Sequence, residues 1–220
     1  INEESDSNGD PCEWDLNIYG IVKYFNLCME CNPHVIDSLF TSQDCVLQIT
    51  RVGTMVREQR KLFLHKGCWP RFKGYAYSQL NKLRTKQPIG KRKELVTEHG
   101  YDVKFAYHAV RMLHECEQIF QEGDLDLRRD RNHLLAIRRG EVPEEEIYTW
   151  AADKEKQLER LYESSKLPAE PDEEKIRALL LNCLEEHFGN LNNSALNTNT
   201  ASSTLNEISK IVERYQNTLI

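Results

Sequence analysis

The sequence predicts a mainly α fold, with at most one or two short strands at its N-terminal edge. Three observations lead there. Apolar side chains recur at helical spacing, segment after segment, from residue 21 to 188. Gly123, Gly140 and Gly189 follow such segments and Pro143 precedes one, where helices stop and start. Alternation of polar and apolar residues occurs only in Glu13-Trp14-Asp15-Leu16-Asn17-Ile18-Tyr19, the period-2 pattern of a short strand.

Taken in order, residues 1–11 are acidic and rich in Gly, Asn and Ser, and are expected to be mobile. After the 13–19 strand, Ile21, Val22, Phe25, Leu27, Cys28 and Met29 predict a helix stopping near Asn32-Pro33. Val35, Ile36, Leu39 and Phe40 predict a second. A third is expected over 54–65, with Val56, Leu62 and Phe63, and a fourth over 72–83. Residues 84–93 form a basic, turn-rich stretch. A long helix over 102–121 ends at Gly123, and Leu125-Asp126-Leu127 reads as briefly extended. Helices over 132–139 and from Pro143 to about 165 follow. Pro168 and Pro171 break the chain before an amphipathic helix bearing Ile176, Leu179, Leu180, Cys183, Leu184 and Phe188 at i, i+3, i+4, i+7, i+8 and i+12. Residues 190–204 are a polar, low-complexity linker. A last helix over 205–215 presents Leu205, Ile208, Ile211, Val212 and Tyr215, to dock on the body, on a partner or on another copy.

Composition narrows the function classes. No apolar run approaches the length of a bilayer span, and the acidic start is not a signal peptide. The seven cysteines are odd in number and irregular in spacing, which argues against a secreted disulfide framework and predicts a cytoplasmic protein. A net charge of −6 supplies no global attraction for nucleic acid or membrane, so phosphate binding would need local basic patches.

The segment 102–121 carries the most chemistry. Val103, Ala106, Val110 and Leu113 form one apolar row, and Phe105, Ala109, Met112, Cys116 and Ile119 a second. One polar strip is left: Lys104, His108, Arg111 and Glu115. It is either a solvated face with helix-surface ion pairs or the wall of a cleft. As a cleft wall, Lys, His and Arg in succession suit an anion such as a triphosphate, the Arg as a bidentate fork and the Lys as a point charge. His108 is then a hydrogen-bond donor or a proton carrier.

Other features admit two readings each. Cys28-Met29-Glu30-Cys31 with His34 resembles half a zinc site, without a second cysteine pair at suitable spacing. The basic run 84–93, which includes Lys91 and Arg92, is a phosphate contact with Tyr75 and Tyr77 as stacking surfaces, or an exposed loop. Arg128-Arg129 and Arg138-Arg139 stand the same way. Trp14, Trp69 and Trp150 read as packing residues.

Several stretches resemble the RNA repair pathway DNA polymerase β family of predicted nucleotidyltransferases. They are Asn32-Pro33-His34-Val35-Ile36-Asp37-Ser38-Leu39-Phe40, Phe72-Lys73-Gly74-Tyr75-Ala76 with Gln79-Leu80, and Lys91-Arg92-Lys93-Glu94-Leu95. Gly100-Tyr101-Asp102 with Lys104, His108 and Arg111 follows. After it come Leu134-Leu135-Ala136-Ile137-Arg138-Arg139-Gly140-Glu141, Lys166-Leu167-Pro168 and Pro171-Asp172. The resemblance covers about 14–188.

That resemblance implies a helical domain (20–189) following a truncated polymerase-β-like α/β nucleotidyltransferase core, of which 1–19 is the remnant. It implies Mg²⁺- or Mn²⁺-dependent transfer of a nucleoside monophosphate from an NTP to a hydroxyl, such as an RNA end. The Gly-Ser loop and Asp-x-Asp strand of such enzymes are missing here and are expected upstream of Ile1. Asp15 becomes the candidate third metal carboxylate, with Asp6, Asp10 and Glu13 as weaker ones. His108 takes a catalytic role, and Lys104, Arg111, Lys91 and Arg92 hold the nucleotide. The rival reading is a non-catalytic helical module that binds nucleic acid, RNA or DNA, or a protein. A scaffold that keeps the fold without the chemistry is a third.

Overall fold

The structure, a computed structural model, describes residues 16–191, and within them every side chain except that of Lys91. Nine α-helices follow one another there without a strand: α1 (Ile21–Met29), α2 (Pro33–Phe40), α3 (Arg51–Glu58), α4 (Cys68–Thr85), α5 (Lys91–His99), α6 (Val103–Glu122), α7 (Arg131–Arg138), α8 (Glu144–Ser164) and α9 (Glu173–Phe188). Two short 3₁₀ turns, Gln43–Cys45 and Arg60–Phe63, flank α3. None of these helices is long and apolar enough to cross a membrane.

The axis of the fold is α6. Its N-cap Asp102 accepts from the N–H groups of Lys104 (3.0 Å) and Phe105 (3.3 Å), and Gly123 stops it in left-handed conformation at φ 60°. Both apolar rows are buried, Ala106, Ala109, Met112, Leu113, Cys116 and Ile119 completely. Helices α4 and α8 pack along it, with α7 and α5 against its flanks. A second group, α1, α2, α3 and α9, joins this body where α2 meets α4, and one continuous core runs through both. A fully buried aliphatic side chain contributes about 1.5–3 kcal/mol, so α6 anchors the molecule.

The structure departs from sequence expectation at element boundaries. Residues 16–19 of the expected strand have no regular structure, and Leu16 and Ile18 are exposed; residues 13–15 lie outside the described region. The expected helix over 54–65 starts at Arg51, where Thr50 accepts from Gly53 N–H (3.2 Å), and gives way at Gln59 to the 3₁₀ turn. Helix α4 begins at Cys68, four residues early, because Pro70 occupies a first-turn position whose N–H has no partner inside the helix. Of the turn-rich 84–93 stretch, residues 86–90 are irregular as expected, while 84–85 end α4 and 91–93 begin α5. Residues 125–127 form no strand: Leu125 and Asp126 lie outside regular structure, the Asp126 N–H donating to the Gln118 side chain (2.9 Å), and Leu127 opens a turn. The linker over 190–204 is described only as far as Leu191, and the helix expected over 205–215 lies outside the described residues.

Candidate phosphate-binding surface

The polar strip of α6 meets α2. Asn32 caps α2 by accepting from Val35 N–H, and that helix carries Asp37 toward the strip. Arg111 Nη1 donates to Asp37 Oδ2 (2.8 Å) and lies 3.6 Å from Glu115 Oε1. Burial lowers Arg111, but Glu115 and Asp37 outweigh it and hold the guanidinium above its ordinary value. Burial raises both carboxyls and Arg111 opposes this at both, while at Glu115 the neighbouring Asp37 adds to the rise. Glu115 rises well above the carboxylate range and is the more deeply buried. We therefore read Asp37 as the carboxylate and Glu115 as the neutral acid beside it, since two adjacent buried carboxyls do not both ionise. Arg111 is thus committed to an internal ion pair.

One turn earlier, His108 is half-buried, and its Nδ1 is buried without a hydrogen-bond partner. Burial, then Arg111, His34, Arg138 and Arg92, lower its pKa to about 4. It is consequently a neutral hydrogen-bonding group at physiological pH, near Arg138 and the ion-paired Arg111 and Arg92. His34 on α2 meets Tyr75 OH on α4 (3.0 Å). Arg138 on α7 lies over the Tyr107 ring, 5.2 Å from its centroid, and Arg92 over Phe105 at 4.1 Å, with Lys86 5.6 Å from the same ring. Lys104 is half-buried and makes no ion pair among the described residues; Arg138 is exposed and equally without one. Arg92 is paired with the cap Asp102 (2.9 Å).

Of the residues expected from sequence, Lys104, His108, Arg111 and Arg92 therefore gather about the N-terminal half of α6. Lys91 begins α5, next to Arg92, with its side chain outside the described set, and Asp15 lies outside the described residues. Sequence reasoning overlooked Asp37 and His34 as members of the site; both stand in the stretch 32–40 already noted for its resemblance. Two larger cavities, of about 710 and 720 Å³, lie beside α1, α3 and α9 and are lined by none of the α6 strip. Cys28 and Cys31 do not open onto the surface, and Cys28 packs in the core.

Comparison with known families decides the kinship. A family described as the RNA repair pathway DNA polymerase beta family matches residues 9–182. The chain belongs to that family. At family level, membership means a polymerase-beta-like nucleotidyltransferase. No curated protein and no solved structure matches the chain.

Such chemistry calls for a divalent metal held by carboxylates. Asp37 and Glu115 are unsuited to hold one, because they surround a guanidinium that already supplies the positive charge. No group of three or more His, Cys, Asp or Glu among the described residues is placed to hold a metal ion. What the surface can do is attract and orient an anion.

Proposed function

We propose that this chain belongs to an enzyme that transfers a nucleoside monophosphate from an NTP to a hydroxyl, with an RNA end as acceptor. In this reading the N-terminal half of α6 receives phosphate groups. The observation that carries it is that Lys104 and Arg138, beside the α6 strip, make no ion pair among the described residues of a chain of net charge −6. Cations collected against the overall charge match a polyanionic ligand. Lys104 and Arg138, free of ion pairs among the described residues, supply the charge; Arg92 follows if a phosphate displaces Asp102; His108 offers one neutral hydrogen bond. Arg111 holds the wall in place from behind. Magnesium or manganese, with Asp15 among its ligands, completes the proposal. The six free thiols of the described residues support a reducing, cytoplasmic setting.

The test is equilibrium binding of ATP, GTP, CTP and UTP to the 220-residue chain and to its Lys104→Ala and Arg138→Ala variants. Each lost charge-assisted contact should weaken binding about tenfold or more. Equal affinity in all three proteins removes α6 from the nucleotide site. The rival reading, a non-catalytic nucleic-acid-binding module, is favoured by the exposed arginines of α7, where Arg131 borders a cavity of about 390 Å³ with Tyr107 and Leu134. Label transfer from an α-phosphate-labelled NTP to RNA separates the two.

A further inference from the structure

Cys31 ends α1 in a turn that usually calls for glycine. Its N–H reaches Cys28 O (2.9 Å), the next N–H, from Asn32, reaches back to Leu27 O (3.0 Å), and its own backbone is left-handed at φ 51°. A cysteine in this conformation sets its sulfur in one place. Cys31 Sγ lies 2.7 Å from Cys68 Sγ and 3.1 Å from His65 Nε2, and both cysteines are fully buried. Cys68 is the first residue of α4.

The proton on His65 can be placed. Its Nε2 lies 2.9 Å from Met29 O, an acceptor only, so Nε2 carries the hydrogen, and Nδ1 accepts from Gly67 N–H (3.1 Å). The same Nε2–H faces Cys31 Sγ and stabilises charge on that sulfur. A Cβ at position 67 would stand 2.5 Å from the His65 ring, so the turn is shaped around the ring. Cys31, His65 and Cys68 are not placed to hold a metal ion, and the two sulfurs, side by side, are left to react with one another.

We propose that Cys31 and Cys68 form a reversible dithiol–disulfide pair, oxidised by a small peroxide. One sulfur, as thiolate, attacks a peroxide oxygen; the O–O bond breaks, giving a sulfenic acid and hydroxide. The second sulfur then attacks the first, expelling the sulfenic hydroxyl and forming the S–S bond. Two thiol hydrogens and two electrons leave with the two oxygens of hydrogen peroxide as two waters. The resting pair is the dithiol: the Cys68 sulfur and burial hold the Cys31 thiol well above its ordinary value. Oxidation is accordingly slow within the seconds-to-hours range of disulfide formation. The bond would tie the entry of α2, which bears His34 and Asp37, to the start of α4, which bears Tyr75.

The experiment uses the full chain with Cys12→Ser and Cys45→Ser, reduced and then treated with hydrogen peroxide. The expected result is loss of two free thiols and a proteolytic product joining the peptides of Cys31 and Cys68, released by dithiothreitol. The melting temperature should rise by roughly 5–15 °C, as for closure of a long loop. Adding Cys68→Ser should abolish both; if that variant does not fold, peptide mapping of the parent decides. A Cys28–Cys31 link overturns the proposal, as do sulfinic or sulfonic products on unlinked sulfurs, an unlinked chain even in mild urea, or stoichiometric zinc on these thiols.

Discussion

At the scale of single residues, the contrast between Arg111 and Lys104 governs what mutations on one helix face will do. Arg111 neutralises a buried carboxylate, so Arg111→Ala leaves Asp37 uncompensated and should cost about 3–5 kcal/mol in urea unfolding. Glu115→Gln replaces a neutral acid by a neutral amide of similar shape and should cost under about 1 kcal/mol. A large loss there would show that Glu115 is ionised. Lys104→Ala should change stability by less than about 0.5 kcal/mol while weakening anion binding. His108 adds a pH dependence. Its pKa is about 4 in the fold, below the ordinary 6.5. The unfolded chain therefore binds the extra proton first, and stability falls as pH drops from about 6.5 toward 4. His114, also lowered to about 4, and His133 act in the same sense. Unfolding titrations of His108→Gln should show a shallower acid slope, by up to about 1.4 kcal/mol per pH unit. An unaltered slope would remove His108 from the buried neutral groups.

At the scale of elements, Asp102 couples a cap to a surface. It accepts two backbone N–H groups of α6 and pairs with Arg92 of α5. Asp102→Ala should cost about 1–2 kcal/mol by thermal or urea unfolding, and Asp102→Asn, which keeps the cap, clearly less. Equal losses would assign the effect to the ion pair. The two rows of α6 were legible in the sequence because apolar spacing at 3.6 residues survives any neighbour. The start of α4 was hidden by Pro70, which reads as a break yet sits harmlessly in a first turn. The break of α3 at Gln59 has no comparable signal. In the site, Lys104, His108 and Arg111 could be grouped from one helix alone. That Arg111 turns inward could not, because Asp37 lies 74 positions away and only tertiary packing brings α2 to α6. Charge pattern also shows nothing of burial, which makes His108 neutral.

At the scale of the whole molecule, a chain of net charge −6 that is to bind a polyanion, as proposed, must rely on a few local cations working against its own field. Affinity for single-stranded RNA should fall linearly with the logarithm of salt concentration, by about 0.7 per phosphate contact. Removing Lys104 and Arg138 together should flatten that slope by about 1.4. A slope unchanged by both substitutions would place the RNA on another face.

The first and last described helices are neighbours: α1 packs on α9, and Ile21 shares a cavity with Leu184 and Cys183. A mechanical load drawn across residues 20 and 189 therefore does not stretch the axis of the body. It peels α1 from α9, and α9 from α3, like opening a clasp, while α4, α6 and α8 bear little of the tension. In a single-molecule pulling experiment the first rupture should release these outer helices and leave a shorter, intact bundle around α6, which yields only at higher force.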